Sequence, residues 1–363
     1  MPDDAIAGNA RRRILSGRYR DGENSMTTEN NAAWQRKPGE PLAIGSAEVP
    51  AIGAGEILVR NEAVGINPLD YLLQDMAMLP WLDYPAIVGS DVAGTVVAVG
   101  EGVDRFAVGD RVLGQAVGTT VNQPAQGAFQ QHTVVLAHMA APIPDDLHAT
   151  KAAVLPLGIG TAAVGLYQAD QLGLRHPTLE PQASGEVVLI WGASSSVGCN
   201  AVQLATASGY EVIATASPRN ADLVRRLGAT RVIDHRAADA VEQVVAALAG
   251  KTLAGAFHAT GNLASTFAVV SRADGRRFVT ATLPPQIEVP EGVEVNAIFC
   301  TSLRDNEVGP MIYRDFLPSA LASGRYVAAP EPRIVGRELE AFQPAIEAQR
   351  DGISGYKLVV DLA

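Results

Sequence analysis

A glycine-rich turn between an apolar segment and an amphipathic segment constrains this chain more than any other feature. The stretch VVLIWGASSSVGCNAVQLATASG, from Val187 to Gly209, begins with five apolar residues and ends with apolar positions at helical spacing. This pattern predicts a buried strand, a tight turn and a helix over 197–208. Gly192 would permit the turn, and Gly198 would let the helix pack closely against the strand.

The same alternation continues for about one hundred residues. Strand-like runs follow with helical segments over 220–227 and 237–248 between them; the runs are EVIATA, RVID, GAFHATG, RRFVTAT and VNAIFC. Strands that alternate with helices predict an α/β unit built on a parallel, doubly wound sheet.

The segment before this unit has a different pattern. From about Trp34 to Pro156, short β-branched runs are separated by Gly, Pro and Asp; they are EILVRNEAVGI, VAGTVVAVG, DRVLGQAV and AFQQHTVVL. Such spacing predicts a bent, barrel-like β unit. After about Arg325 the pattern returns to irregular β, and the final GYKLVVDLA is expected to fold back onto the first unit. A chain of 363 residues is long enough for two domains.

Charge and cysteine content restrict the partners and the compartment. The net charge of −11 argues against nucleic acid or an anionic membrane as the main partner. No apolar run approaches the roughly 20 residues of a membrane span. Two distant cysteines, Cys199 and Cys300, cannot build a disulfide framework, so a cytoplasmic location is expected. Residues 1–25 contain five arginines and four acids with little periodicity, which predicts a flexible extension.

The glycine-rich turn favours a dinucleotide ligand. Free N–H groups at a helix start can receive a pyrophosphate, and the strand–turn–helix setting is the one that such a fingerprint requires. The predicted contacts are Gly192, Ala193, Ser194, Ser195, Ser196, Val197 and Gly198. Ser195 stands where a central glycine is expected, and its hydroxyl is interpreted as a donor to phosphate. An ordinary turn with a serine helix cap is the alternative.

The second strand of the unit indicates which dinucleotide binds. NAD sites place an acid at its end for the ribose 2′-hydroxyl, whereas Ser217 stands there, followed by Arg219 and Asn220. Serine and arginine can bind a 2′-phosphate that a carboxylate would repel. The cofactor is therefore predicted to be NADPH. Further contacts are expected at the ends of later strands, at Ala259, Thr260, Gly261, Thr282, Leu283 and Phe299.

Three segments carry a family resemblance: GSDVAGTVVAVGEGVDRFAVGDRV (Gly89–Val112), AAVLPLGIGTA (Ala152–Ala162) and VLIWGASSSVGCNAVQLA. From about Met26 onward the chain resembles the medium-chain dehydrogenase/reductase superfamily. It looks most like the zinc-independent quinone oxidoreductase and enoyl reductase branch, which includes fungal trans-acting enoyl reductases. The resemblance implies a GroES-like catalytic domain (26–158 and 325–363), an inserted Rossmann domain (159–324) and an active site between them.

Departures from the zinc-dependent members of that superfamily are informative. Their metal ligands are a Cys and a His-Glu pair, but this chain has Ile66 or Asn67 and Ser90 at the matching places. No cysteine lies in the region 100–125, where other members hold a structural zinc. The six histidines show no close ligand spacing. No metal is therefore expected.

Without a Lewis acid, the expected acceptor is already electrophilic: an activated C=C, as in an enone or enoyl group, or a quinone. The reaction needs a hydrogen-bond donor for the carbonyl and a proton source. Asn67, Asp70 and Tyr71 are the candidates, with turn capping or half-buried packing as alternative roles. The resemblance implies that Asn67 faces the cofactor and that Tyr71 borders the substrate. Thr161 is expected to contact the nicotinamide from a helix N-terminus, unless it is the N-cap.

Two other functions and the oligomeric state stay open at this point. A non-catalytic NADPH-binding redox sensor or scaffold would bind cofactor without turnover, and a zinc alcohol dehydrogenase would need ligands that the sequence lacks. VNAIFC is a candidate for pairing between the subunits of a homodimer, and a monomer is the alternative.

Overall fold

The computed structural model describes residues 29–363, so the predicted extension over 1–25 lies outside the described residues. The strands of the described part are β1 (Asn30–Gln35), β2 (Ala43–Ala47), β3 (Glu56–Gly65), β4 (Ala86–Ile87), β5 (Asp91–Val99), β6 (Arg111–Gln115), β7 (His132–Leu136), β8 (Ala140–Pro142), β9 (Glu186–Trp191), β10 (Glu211–Thr215), β11 (Arg231–Ile233), β12 (Thr252–His258), β13 (Phe278–Ala281), β14 (Glu294–Ala297), β15 (Glu331–Arg337) and β16 (Tyr356–Asp361).

The α-helices of the same part are α1 (Pro68–Asp75), α2 (Gly118–Val121), α3 (Ala149–Ala152), α4 (Pro156–Tyr167), α5 (Ser196–Ala207), α6 (Ala221–Arg226), α7 (Ala240–Leu248), α8 (Leu263–Val270), α9 (Val308–Pro310), α10 (Leu317–Ala322) and α11 (Phe342–Arg350). A π-helical stretch over Met311–Phe316 joins α9 to α10, so that 308–322 is one continuous helix.

The α/β unit contains a six-stranded parallel sheet in the order β11-β10-β9-β12-β13-β14. Five of the six residues of β9 are buried because helices cover both faces of a parallel sheet. The strand order reverses between β9 and β12, and ligands bind in open α/β sheets at the carboxyl edge of such a reversal. The predicted doubly wound sheet is confirmed.

The β unit contains a seven-stranded sheet in the order β15-β16-β3-β5-β6-β8, with β7 paired to β3, and a three-stranded sheet β2-β1-β4. The long strand β3 pairs with both β5 and β7. The last strand, β16, pairs antiparallel with β3 at Val359↔Gly65, so the C-terminal segment does fold back onto the first unit. The predicted GroES-like β unit with a Rossmann insertion is confirmed.

One prediction for the C-terminal segment is wrong. The sequence was expected to be irregular β after Arg325, but α11 lies there and packs against α1. Its buried positions Phe342, Ala345, Ile346 and Gln349 follow helical spacing. Pro344 within the first turn concealed the pattern, although proline is tolerated at that end of a helix.

The connection between the two sheets is unusually apolar. No apolar run was expected to be long enough to cross a membrane, but Ala149–Tyr167 is long and apolar enough to do so. However, 94% of its most apolar window is buried inside the protein. Every residue of α4 is buried, so this segment is a core helix shared by both units.

The sheets follow the predicted division of the chain. Strands β1–β8 and β15–β16 fall within 26–158 and 325–363, and β9–β14 fall within 159–324. The boundary residues themselves stay a prediction, since α4 begins before residue 159 and lies between the two sheets.

Candidate functional site

The turn from β9 to α5 depends on both of its glycines. Gly192 has a φ of +79°, and a Cβ there would lie 2.7 Å from the carbonyl oxygen of Thr260. A Cβ at Gly198 would overlap the carbonyl oxygen of Gly192 and the backbone of Ala193. The turn is therefore held tightly against the ends of β9 and β12, as the sequence predicts.

Ser195 caps α5 rather than reaching toward a ligand. Its hydroxyl donates to the carbonyl oxygen of Gly192 (2.9 Å) and accepts from the N–H of Gly198 (3.0 Å). The interpretation of this hydroxyl as a donor to phosphate is wrong, and the serine N-cap is what the structure has. The backbone N–H groups of Ser196 and Val197, in the first helical turn, have no helical carbonyl to bond to. They are the groups that can hold a pyrophosphate.

The end of β10 is polar and carries no carboxylate. Ser217 is 4% exposed, and its hydroxyl is one of the buried polar groups without a hydrogen-bond partner in the described part of the chain. Arg219 is exposed, and Asn220 is buried. Asn220 donates from Nδ2 to Ser194 Oγ (3.2 Å) and to Ser354 Oγ (2.9 Å). Ser354 was missed, because it lies in the loop before β16, far along the chain from the glycine-rich turn.

A buried ion pair joins the β unit to the start of α4. Lys357 Nζ lies 2.5 Å from Asp91 Oδ2, and both side chains are at most 1% exposed. Asp91 also accepts from Asn67 Nδ2 (2.6 Å) and from the N–H of Leu157 (2.5 Å), and Lys357 reaches the carbonyl oxygen of Val154 (3.3 Å). Asp91 thus has a structural role, since it binds a lysine, an amide and a backbone N–H from three separate segments. Lys357, a lone cation in the apolar strand β16, was missed.

The three candidate side chains at the start of α1 differ in how exposed they are. Asn67 is the N-cap, and it is 4% exposed with its amide directed to Asp91. Asp70 is completely buried and accepts from the N–H of Asn67 (2.7 Å), so the prediction that it acts directly on substrate does not fit. Burial raises the pKa of the Asp70 carboxyl to about 7, although its bond from Asn67 opposes this. Tyr71 is half-buried and stays the accessible candidate.

Thr161 lies on α4 but not at its N-terminus. The helix begins at Pro156 with Leu155 as its N-cap, so neither the predicted terminal position nor the N-cap alternative is right. The hydroxyl of Thr161 donates to the carbonyl oxygen of Leu157 (2.7 Å). The hydroxyl hydrogen of Thr161 is therefore used within its own helix.

The loop after β14 contacts the β unit and marks one end of the space between the two units, called the cleft below. Three consecutive residues contact the β unit: Phe299 packs edge-on against Trp81 with ring centroids 6.2 Å apart, Cys300 O accepts from Gln115 Nε2 (3.2 Å), and Thr301 Oγ1 bonds Thr120 Oγ1 (2.9 Å). The other predicted contacts, Ala259, Gly261, Thr282 and Leu283, also follow the carboxyl ends of β12 and β13.

Two reactive-looking side chains prove inert. His258 ends β12, bonds Thr266 Oγ1 through Nδ1 (2.8 Å), and has its pKa lowered to about 4 by burial. Cys199 is fully buried in α5, and burial raises the pKa of its thiol to about 12. Both are therefore packing residues of the Rossmann unit.

Similar proteins identify the family. Residues 53–145 match the alcohol dehydrogenase GroES-like domain, and residues 196–304 match the family described as zinc-binding dehydrogenase. Dehydrogenase azaJ from Aspergillus niger is 45% identical over 92% of this chain and 99% of its own length. Trans-enoyl reductase himH from Aspergillus japonicus is 40% identical over 92% of this chain and 98% of its own. The chain belongs to the medium-chain dehydrogenase/reductase superfamily.

Within that superfamily it falls in the enoyl-reductase-like branch. The fold agrees: an alcohol dehydrogenase superfamily protein from Novosphingobium aromaticivorans superposes with a TM-score of 0.76 at 28% identity, over 92% of this chain and 100% of that one. This member of the medium-chain superfamily is therefore an oxidoreductase that acts on a small molecule, and its Rossmann unit binds a nicotinamide cofactor.

The donor set does not fit a zinc ion, despite the description of the second matching family. Ile66 has no donor atom, the amide of Asn67 is engaged with Asp91, and Ser90 is not a residue that zinc prefers. Over residues 29–363, no cluster of three or more His, Cys, Asp or Glu side chains is arranged to hold a metal.

Proposed function

We propose that this protein is a zinc-independent, NADPH-dependent reductase of an activated C=C bond conjugated to a carbonyl, the quinone being the alternative acceptor. The proposal is supported by the side chains at the positions where zinc-dependent members hold their ligands: Ile66 has no donor atom, and the amide of Asn67 is bonded to Asp91. A member of this superfamily without a Lewis acid needs an acceptor that is already electrophilic.

The choice of NADPH rests on the end of β10. A ribose 2′-hydroxyl is usually held there by a carboxylate, and such a carboxylate would repel a phosphate. Here Ser217 offers a buried hydroxyl with no partner among the described residues, and the guanidinium of Arg219 is free in solvent to approach a phosphate.

The rim of the cleft supports an apolar substrate. Six of the large hydrophobic side chains that are exposed in the described chain lie in three loops, those after α1, β13 and β14: Met76, Met78, Trp81, Leu283, Ile287 and Phe299. The contact of Trp81 with Phe299 brings the first and the last of these loops together, and grouped exposed apolar side chains are a feature of binding surfaces. The relatives named trans-enoyl reductases favour an enoyl group over a quinone.

Different groups at the site would supply the hydride, the hydrogen bond to the carbonyl oxygen and the proton. When bound, reduced nicotinamide supplies a hydride to the β-carbon of the alkene. The hydroxyl of Tyr71, half-buried on α1, is the candidate donor to the carbonyl oxygen, where negative charge develops. Asn67, fixed by Asp91, orders the α1 N-terminus beneath it. The α-carbon takes its proton from Tyr71 or from water.

Oxidation of NADPH in the presence of enoyl thioesters, enals and quinones tests the proposal, with NADH alongside. Turnover of an enoyl thioester with NADPH is the expected result. Binding of NADPH without turnover on any acceptor would favour the sensor or scaffold alternative.

A further inference from the structure

A hydrogen-bonded bridge spans the two units at the end of the cleft opposite to Phe299. Asn220, at the end of β10, contacts Ser194 in the glycine-rich turn and Ser354 in the loop before β16. This loop belongs to the β unit, whereas Asn220 and Ser194 belong to the Rossmann unit. The amide of Asn220 uses both of its N–H groups in this way, one toward each serine.

Close approach of the two units is built into the backbone at this point. Gly355 has a φ of +76°, and a Cβ there would lie 2.5 Å from Asn220 Oδ1. Glycine is thus the residue that lets the loop come against Asn220. Asn220 is 9% exposed and the two serines are half-buried, so this bridge is partly shielded from solvent.

The serine hydroxyls of this bridge accept hydrogen bonds but keep their own O–H groups available to donate. Ser194 and Ser354 accept from Asn220, and across residues 29–363 neither hydroxyl donates a hydrogen bond. Ser217 is three residues before Asn220, and its buried hydroxyl has no partner in the same range. A hydroxyl that accepts one bond keeps its O–H available. The O–H groups of the two serines that contact Asn220, and that of Ser217 nearby in the sequence, thus have no acceptor among residues 29–363, and the exposed cation Arg219 directly precedes Asn220 in the chain.

Unused donors beside a cation suit an anion with several acceptor oxygens, such as a phosphate monoester. The location fits one part of the cofactor in particular. The end of β10 is where a Rossmann fold meets the adenosine ribose. It lies four strand spacings, about 19 Å, from β14, where Phe299 and Thr301 mark the other end of the cleft.

We propose that Ser354, held by Asn220, is a specificity-determining residue for the 2′-phosphate of NADPH, so that the β unit completes a phosphate site begun on the Rossmann unit. Binding of the 2′-phosphate then stabilises the contact between the two units, because the phosphate and Asn220 hold the same hydroxyls. This inference rests on the proposed use of NADPH and adds a residue from the other domain to it.

The test compares the dissociation constants of NADPH and NADH in four forms of the full chain: wild type, Ser354→Ala, Ser354→Thr and the control Ser323→Ala. Ser323 is an exposed serine at the end of α10, remote in sequence from the bridge. We expect Ser354→Ala to weaken NADPH about tenfold, the loss typical of one hydrogen bond to a charged group, and to change NADH by less than about twofold. Ser354→Thr keeps the hydroxyl and should restore most of the NADPH affinity.

An unchanged NADPH constant in Ser354→Ala would overturn the inference and leave the proposed function standing. Equal weakening of NADPH and NADH would also overturn it, since the hydroxyl would then serve the pyrophosphate that both share. If wild type binds neither dinucleotide, the proposed function fails together with the inference.

Discussion

At the scale of single residues, the glycine-rich turn separates groups that serve the fold from groups that remain free for a ligand. The hydroxyl of Ser195 is consumed by the cap of α5, and the two glycines are required by neighbouring backbone atoms. What remains for an anion is the backbone N–H of Ser196 and Val197 at the positive end of the helix.

Substitutions in this turn should therefore act very differently. Gly198→Leu would drive a side chain into the carbonyl of Gly192, and we expect it to abolish binding of NADPH. Ser195→Gly removes only the cap hydroxyl, at a cost of a few tenths of a kcal/mol, and should change the dissociation constant by less than about threefold. Titration of both variants with NADPH checks this. Normal binding by Gly198→Leu would mean that the cofactor lies on another turn.

The buried carboxyl of Asp70 should make stability depend on pH. The pKa of this carboxyl is raised to about 7 in the folded state, above the 3.8 of an exposed aspartate, so between these values the folded state keeps a proton that the unfolded state has lost. Stability contributed by this group is complete below pH 3.8 and is lost as the pH rises to 7. The slope is at most about 1.4 kcal/mol per pH unit.

Asp70→Asn removes this titration while it keeps an acceptor for the N–H of Asn67. The free energy of unfolding of the variant, measured relative to wild type by denaturation, should therefore increase between pH 4 and pH 7 and then level off. A difference that is constant over this range would show that Asp70 titrates normally.

At the scale of elements, the strands and helices that could be predicted from the sequence are those with a regular spacing of apolar residues. The parallel sheet followed from β-branched runs that alternate with helical segments, and β3, β5, β6 and β7 followed from short runs between turn residues. Helix α11 was missed because Pro344 obscured its spacing. Contacts between distant segments, such as Asn220 with Ser354 or Lys357 with Asp91, leave no local pattern and could not be predicted.

The ion pair between β16 and β5 should be the most costly of these contacts to break. Lys357→Met would leave Asp91 buried and without its counter-charge, which typically costs about 3–5 kcal/mol of unfolding free energy. Arg225→Met is the matched control, since it breaks an exposed pair with Asp222 and should cost less than about 1 kcal/mol. Urea denaturation compares the two. Equal losses would contradict a special role for the buried pair in joining the units.

At the scale of the whole molecule, the two units contact each other at two places, beyond the carboxyl ends of β10 and β14. The first place carries the bridge of Asn220 to Ser354, and the second carries Phe299 and Thr301 against the β unit. Between them, the start of α4 is fixed by Asp91 from one side, and the carbonyl of Val154 accepts from Ser196 Oγ on the other (3.4 Å). Fold and family were readable from the sequence, whereas these contacts between the units required the assembled structure.

The proposed reaction is the reduction, by NADPH bound between the two units, of an alkene that is already electrophilic. Its most direct test is the initial rate of cofactor oxidation with an enoyl thioester, measured with NADPH and with NADH after dialysis against a metal chelator. We expect turnover that survives the chelator and a preference of at least about tenfold in kcat/KM for NADPH, the effect of a single charge-assisted contact. A preference for NADH, or activity that returns only when zinc is added, would contradict it.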